Sequence, residues 1–299
     1  MLPAILVGVF LTASVQGCSA AGAGERAPER TPSPAPSTAT EDPKNFTFRL
    51  PIAKYGYSDS ESEKMRSAQN ALAQDCVAKF DLRYIPDTPQ ASGGDASDRR
   101  YGLSSAGDAA RYGYHLPPEP SAGKSQSVGP ALRLVLTGAA ASGEKTHSEY
   151  QGREVPENGC LGEAARKLGE GHDDPADAQV AGSIADGSFK ESMADRRVRT
   201  VFARWSACMT ERGYMYATPL AAIGDKAFLE EEAAGPREVA TAEADMRCKQ
   251  RTGLLNTWFS VESRIQSAMI AKNGPALHRL RSAHAGKVAE AERILAARS

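Results

Sequence analysis

Residues 198–216 read VRTVFARWSACMTERGYMY and predict the end of a helix around which the rest of the chain is organised. Apolar side chains recur every three or four positions along this stretch, which is the spacing of a helix that buries one face. They are Val198, Val201, Phe202, Trp205 and Met209. Cys208 lies on the same apolar side, and Gly213 is a helix stop.

The composition is that of an ordinary soluble protein. The chain has 299 residues, of which 41% are hydrophobic and 24% are charged, with a net charge of −1. Because no overall positive charge favours binding to phosphate, the composition gives no support for a nucleic-acid partner.

The first 17 residues predict a signal peptide. Residues 2–15 are almost wholly apolar, but this run is much shorter than the roughly 20 residues of a membrane-spanning helix. Residues 15–18, VQGC, are similar to a bacterial lipobox, which predicts cleavage before Cys18 and a lipid anchor on its sulfur. Gln16 is bulkier than usual and no basic residue precedes the apolar run. The alternative is an ordinary secretory signal cut nearby.

The domain boundaries follow from composition. Residues 18–44 are rich in Ala, Gly, Pro, Ser and Thr and predict a disordered tether. Residues 45–299 predict a helical extracytoplasmic domain, with a weak division into halves at 45–170 and 171–299.

Four cysteines remain if Cys18 carries lipid. These four are Cys76, Cys160, Cys208 and Cys248. An even number of cysteines in an exported chain predicts two disulfides, and four cysteines can pair in three ways.

A faint internal repeat bears on the pairing. Cys76 precedes Tyr84 by eight positions, and Cys208 precedes Tyr216 by the same interval. This favours two related units, each with a later cysteine, and hence the hypothesis of Cys76–Cys160 and Cys208–Cys248 bridges. The alternative is coincidence between two amphipathic helices.

The helical periodicity predicts a mainly α fold with a long irregular insertion. A capping box at residues 60–63 predicts a helix that reaches about residue 80. Residues 81–158 form the insertion, packed by tyrosines, with residues 132–136 undecided between helix and strand.

Further helices are predicted downstream of the insertion. They cover 160–168, 175–187, a segment opened by a second capping box at 188–191, 236–272, and a final helix after the Asn273-Gly274-Pro275 break.

No catalytic, cofactor or metal motif is present in the sequence. The five histidines lack the three- or four-residue spacing of a helical metal pair. Asp173 and Asp174, after His172, are interpreted as caps of a helix that begins at Pro175, with a metal or acid–base cluster as the alternative. Residues 230–232 are interpreted as a solvated helix face or turn, with cation binding as the alternative.

The final helix is basic and is a possible binding surface for anionic lipid or an anionic wall polymer. The residues proposed for this surface are Arg279, Arg281, Lys287 and Arg293. The alternative is that they form the solvated outer face of a bundle helix.

Four segments of the sequence, centred on cysteines or aromatic residues, are similar to segments of a known group of proteins. They are residues 155–164, 204–216, 244–249 and 258–262. Together they resemble exported lipoproteins of actinobacteria, especially streptomycetes. The resemblance covers most of the chain after the tether and implies a cell-surface location, but no activity.

We therefore expect a cell-surface lipoprotein that acts as a non-catalytic binding module. Its partner would be a cell-wall polymer, a small ligand or another envelope protein. The alternative is a secreted cell-wall hydrolase that uses carboxylates.

Overall fold

The computed structural model describes residues 40–42, 45–87, 99–118, 128–139, 149–170, 172 and 175–298. Side chains are described from residue 48 onward, except that of Pro175. The predicted signal peptide, Cys18 and most of the predicted tether lie outside these residues. The described residues belong to one compact unit.

The described residues are mostly helical, as the sequence predicts. Strands occur there as two antiparallel hairpins, β1 (Thr40–Asp42) with β2 (Asn45–Thr47) and β3 (Glu149–Tyr150) with β4 (Arg153–Glu154). A 3-10 helix at Pro51–Tyr55 precedes the first α-helix. The helices are α1 (Asp59–Ala78), α2 (Ala106–Tyr112), α3 (Pro130–Thr137), α4 (Gly159–Gly169), α5 (Pro175–Ala194), α6 (Arg196–Thr210), α7 (Pro219–Ile223), α8 (Lys226–Leu229), α9 (Pro236–Thr252), α10 (Leu254–Lys272) and α11 (Gly274–Ala296).

Helix α6 buries the apolar face that the sequence predicts. Asp195 caps its first turn by accepting a hydrogen bond from the backbone N–H of Arg197 at 2.8 Å. All of the apolar residues predicted to face inward are buried, and Trp205 and Cys208 have no exposed surface. Gly213 ends the segment with a positive φ of 85°, a conformation that suits glycine.

Helices α6 and α9 run parallel and are joined at three levels. The Trp205 Nε1–H donates to Asp245 Oδ1 at 2.8 Å. One turn further on, Cys208 and Cys248 form a disulfide. After another turn, Arg251 pairs with Glu211 at 2.7 Å. In each of the three pairs, the α9 residue lies 40 positions after its α6 partner. The two helices therefore keep a constant register.

The other disulfide joins α1 to α4 through Cys76 and Cys160, whose Cα atoms lie 5.5 Å apart. Both pairings agree with the hypothesis drawn from the internal repeat. A separate small core surrounds this bridge: its buried members include Val77, Phe80, Val135, Leu136 and Val155.

The internal repeat extends beyond the cysteines and tyrosines. Gln74 donates to the Tyr84 carbonyl at 3.3 Å, and Ser206 donates to the Tyr216 carbonyl at 2.7 Å. Both donors stand two positions before the cysteine of their helix. Asp81 and Gly213, each five positions after that cysteine, both have positive φ. The two helix ends therefore share their hydrogen bonding and their backbone turn.

Three helix boundaries differ from the prediction. The capping box of α1 is formed by Ser58 and Glu61, two residues earlier than expected. Helix α5 continues through Gly187 and Ser188, so the predicted end and the second capping box are wrong. Gly253, with a φ of 65°, separates α9 from α10 where one long helix was expected.

Other predictions concern the weakly patterned segments. Residues 40–42, expected to belong to a disordered tether, pair with 45–47 as a hairpin. Residues 132–136, undecided before, lie in α3. Tyr101 and Tyr114 of the irregular insertion are buried in the main core, as expected.

The two predicted halves contact each other closely. Helix α2 of the first half packs on α9, and α1 packs on α11. The main core lies around Trp205 and Trp258, which are both fully buried. The division into halves stays a prediction.

Removing either disulfide should destabilise the fold. We expect the paired variants C208S/C248S and C76S/C160S each to lower the free energy of unfolding by about 2–5 kcal/mol, measured by denaturant titration. Non-reducing peptide mapping of the unmodified chain checks the connectivity. A Cys76–Cys208 crosslink would contradict both the structure and the two-unit hypothesis.

Candidate functional site

Three ionisable residues lie buried along one face of α9: Glu238, Asp245 and Lys249. Their spacing of seven and then four residues places them on the same side of the helix. Opposite them lie residues 99–115, which we call the strap and which include α2. Buried ionisable groups are common in functional sites, so the contacts of these three residues decide what this face can do.

Asp245 and Lys249 form a buried ion pair, with Lys249 Nζ 3.0 Å from Asp245 Oδ2. Lys249 also donates to the Leu103 carbonyl of the strap at 2.8 Å. Burial raises the pKa of Asp245 and lowers the pKa of Lys249, because both charged forms lose their water. The pair therefore ties the strap to α9 and has no exposed atom for a substrate.

His115 of the strap bridges two acceptors. Its Nδ1 lies 2.9 Å from Glu238 Oε1, and its Nε2 lies 3.0 Å from the Glu231 carbonyl oxygen. Because a neutral imidazole donates from one nitrogen only, both contacts are hydrogen bonds when the ring is protonated. Arg99 is the nearby cation, and it donates to the carbonyls of Tyr114 and His115 at 2.6 and 2.7 Å.

The strap can approach Glu238 closely because residue 113 is glycine. A Cβ at Gly113 would lie 2.6 Å from Glu238 Oε1, and the backbone there has a positive φ of 57°. The same carboxylate oxygen accepts a hydrogen bond from the backbone N–H of Tyr114 at 2.7 Å. Glu238 thus holds the end of the strap by its backbone as well as by His115.

Glu262 of α10 is the centre of a second buried network. It is fully buried and pairs with Arg100 of the strap. Tyr101 donates its hydroxyl to Glu262 Oε2 at 2.7 Å, and Ser188 donates to Oε1 at 3.0 Å. Gln266 extends the network by donating to Ser188 and accepting from the backbone N–H of Ile52. Ser188, expected to cap a helix, is instead a buried partner of this carboxylate.

These networks place the buried carboxylates in internal contacts. Asp245 pairs with Lys249, Glu262 pairs with Arg100, and Glu238 contacts His115, which is a cation only when protonated. Trp205 and Trp258 lie in the core beside them, which agrees with a packing role. In the described residues, no group of three or more His, Cys, Asp or Glu side chains is placed to hold a metal ion.

The other acidic and histidine motifs also have structural positions. The ring of His172 lies where a Cβ at Gly286 would be, 2.5 Å from its Nδ1, so it packs on α11. Residues 173–174 lie outside the described residues. Residues 230–232 form an exposed turn, which is one of the two solvated arrangements expected from the sequence.

The predicted basic surface of α11 is largely paired with acids. Arg279 makes two hydrogen bonds to the buried Asp177, at 2.9 and 2.7 Å. Arg281 pairs with Glu61 at 2.8 Å and, with Ser58, lowers the pKa of Glu61 to about 2. Arg293 pairs with Glu290. Lys287 also has an interaction partner. The binding role of these four residues stays a prediction.

The exposed face of α6 was missed by the sequence reasoning, which followed its apolar face. Arg196, Arg199 and Arg204 project from it into solvent. The run of arginines in RRVRTVFAR, at residues 196–204, is the signal that would have found them.

Comparisons with protein-family models, with curated proteins and with solved structures found no match for this chain. Within the residues that the structure describes, no helix has the length and apolar character needed to cross a bilayer.

Replacing Asp245 should be strongly destabilising. Asp245→Asn leaves Lys249 buried without a counter-charge, and we expect a loss of about 3–5 kcal/mol in the free energy of unfolding. Glu243→Gln on the same helix removes an exposed pair with Arg247 and should cost less than about 1 kcal/mol. The double variant D245N/K249M should recover much of the loss. Equal losses in D245N and E243Q would refute the role assigned to the buried pair.

The contact of His115 should make stability depend on pH. The Glu231 carbonyl and the Glu238 carboxylate raise the pKa of His115 above its usual value. Below about pH 6.5 the ring is protonated in both the folded and the unfolded chain, so the stabilisation is fully present. This stabilisation is lost as the pH rises through the pKa of His115 in the folded chain, which lies above its usual value.

The measurement is the free energy of unfolding of wild type and His115→Gln at a series of pH values. We expect the advantage of wild type to shrink as the pH rises above about 6.5. The other histidines are common to both proteins, so the difference isolates His115. A difference that does not change with pH would show that this contact does not titrate as described.

Proposed function

We propose that this chain is an exported, lipid-anchored binding module at the outer face of a Gram-positive membrane. The observation that carries the proposal is the pair of disulfides, Cys76–Cys160 and Cys208–Cys248. Disulfides form and persist in oxidising compartments, so the chain belongs to an extracellular or otherwise oxidising environment. Export is the simplest route to such an environment.

The anchoring part of the proposal rests on the N-terminal sequence. The VQGC segment ending at Cys18 follows an apolar run of signal-peptide length. The Pro- and Ser-rich residues that follow would hold the domain away from the membrane. The resemblance to actinobacterial lipoproteins supports the same location.

A binding role is favoured over a catalytic role because the buried carboxylates make structural contacts within the core. Glu238, Asp245 and Glu262 are held in contacts that connect the strap with α9 and α10. These contacts, together with the disulfides, make a platform whose surface side chains have fixed backbone positions. A rigid surface loses less conformational entropy when a partner binds, which suits a binding module.

The lipid anchor is tested by substituting its cysteine. We expect Cys18→Ala to release the protein to the medium, because no sulfur is left to carry lipid. Ser19→Ala is the matched control and should stay in the membrane fraction. Measurement is by immunoblotting of membrane and medium fractions. Continued membrane retention of Cys18→Ala would contradict the anchor.

The binding role is tested with isolated cell envelopes. We expect the purified full chain to sediment with envelope material and to release no soluble wall fragments over time. Sedimentation with heat-unfolded, reduced chain is the control for non-specific adhesion. Release of soluble fragments above the buffer blank would favour the hydrolase instead.

A further inference from the structure

The buried pair of Asp245 and Lys249 has a geometry that differs from that of an ordinary ion pair. The two residues are four positions apart on α9, a spacing that places side chains side by side, and neither side chain has exposed surface. Lys249 Nζ lies 3.0 Å from Asp245 Oδ2, but the contact lacks the alignment of a hydrogen bond, and Oδ2 has no hydrogen-bond partner. The nitrogen therefore lies against the carboxyl group without donating to this oxygen.

The other polar atoms of the pair are held by neighbouring residues. Asp245 Oδ1 accepts a hydrogen bond from Trp205 Nε1–H at 2.8 Å. Lys249 Nζ donates to the Leu103 carbonyl at 2.8 Å. An amide between the two side chains has one carbonyl oxygen and one N–H, so it would keep both of these hydrogen bonds. The atom that amide formation removes is Oδ2, which is the oxygen without a partner.

The site is closed to water. The strap covers Lys249 closely at Gly102, where a Cβ would lie 3.1 Å from Nζ. Burial raises the pKa of Asp245 and lowers the pKa of Lys249, so it favours the neutral acid and the neutral amine. A neutral amine has the lone pair that a nucleophile needs, and the exclusion of water protects the product from hydrolysis.

A buried hydroxyl lies beside the same carboxyl group. The hydroxyl oxygen of Tyr114 is buried without a hydrogen-bond partner. Burial and the neighbouring Asp245 carboxylate raise the pKa of Tyr114, so the hydroxyl stays protonated. It is therefore available to donate a proton to an oxygen that leaves Asp245.

We propose that Lys249 and Asp245 condense to an intramolecular amide bond that crosslinks one turn of α9. First, a proton passes from the Lys249 ammonium group to the Asp245 carboxylate. The lone pair of Nζ then attacks Asp245 Cγ and forms the C–N bond. The Cγ–Oδ2 bond breaks, and Oδ2 leaves as water with the first proton and a second proton from Nζ. One ammonium and one carboxylate thus give one amide and one water, with no other reactant.

The reaction replaces two buried charges with a neutral group. A buried ion pair loses the hydration of both ions, and its replacement by uncharged groups of similar volume is often stabilising. The ion pair described above is the arrangement of the folded chain before reaction, and the amide is its product. The proposal concerns the core alone and does not depend on the cellular location of the chain.

A second pair with the same spacing and order lies in a different environment. Glu163 and Lys167 are four residues apart on α4, and Nζ lies 2.6 Å from Oε1. Their side chains are 22% and 50% exposed, so water solvates both ions. The hydrogen bond from Lys167 lowers the pKa of Glu163, which favours the carboxylate. We therefore expect no amide at this pair, which serves as a control within the same chain.

The test is mass spectrometry of tryptic peptides from the purified full chain after reduction and alkylation of its cysteines. Without the amide, trypsin cleaves after Arg247, Lys249 and Arg251 and yields separate peptides. With the amide, Lys249 is no longer a cleavage site, and residues 238–247 are joined to residues 248–251. This branched product should be about 18 Da lighter than the two peptides together, because one water has left. Recovery of these residues only as separate peptides of full mass would overturn the proposal.

Lys249→Arg is the matched control at the reacting position. It keeps the cation but has no amine that can form the amide, so we expect the branched peptide to be absent. A loss of water that persists between residues 238 and 251 in this variant would overturn the proposal. An equal loss between Glu163 and Lys167 in wild type would also overturn it, because it would indicate dehydration unrelated to the buried site. The peptide map of wild type decides the question even if the variant does not fold.

Discussion

The buried charges of α9 are the constraint on which the rest of the structure depends. A helix that carries Glu238, Asp245 and Lys249 on one face cannot bury that face against apolar side chains, because unpaired buried charge is strongly unfavourable. Asp245 and Lys249 pair with each other within α9, and the strap supplies the further partners of Lys249 and Glu238. These partners are the Leu103 carbonyl, the Tyr114 N–H and the His115 ring. The strap therefore completes a core in which α6 already holds α9 through Trp205 and the Cys208–Cys248 disulfide.

The two disulfides act on different parts of this arrangement. Cys208–Cys248 fixes the register of α6 against α9, so that Trp205 meets Asp245 one turn before it. Cys76–Cys160 joins α1 to α4 around a smaller core of its own. Each bridge limits the unfolded chain, and the shared helix-end geometry is consistent with one structural unit used twice. The hydrogen bond from the residue two before each cysteine to the tyrosine carbonyl strengthens that interpretation.

Much of the helical framework could be predicted from the sequence, because apolar periodicity marks the buried face of α6 and glycine marks its end. The repeated spacing from cysteine to tyrosine suggested the cysteine pairing as a hypothesis, and the two disulfides agree with it. The buried face of α9 could not be predicted, since charged residues at helical spacing normally indicate a solvated face. Ser188 was misread for a related reason: its local sequence is a capping box, but Glu262 of α10 supplies a tertiary partner that the local sequence does not contain.

Helix α6 has two different faces. Its buried face is attached to α9, and its exposed face carries arginines. Its buried side is held by an indole–carboxylate hydrogen bond and a disulfide, so its backbone position cannot adjust to relieve repulsion among its arginines. In a free helix that repulsion would favour fraying of the first turn. Here the buried contacts of α6 with α9 hold the backbone of that turn in place. The disulfide and the indole–carboxylate hydrogen bond therefore offset the unfavourable placement of Arg196 and Arg199 in the first turn of α6.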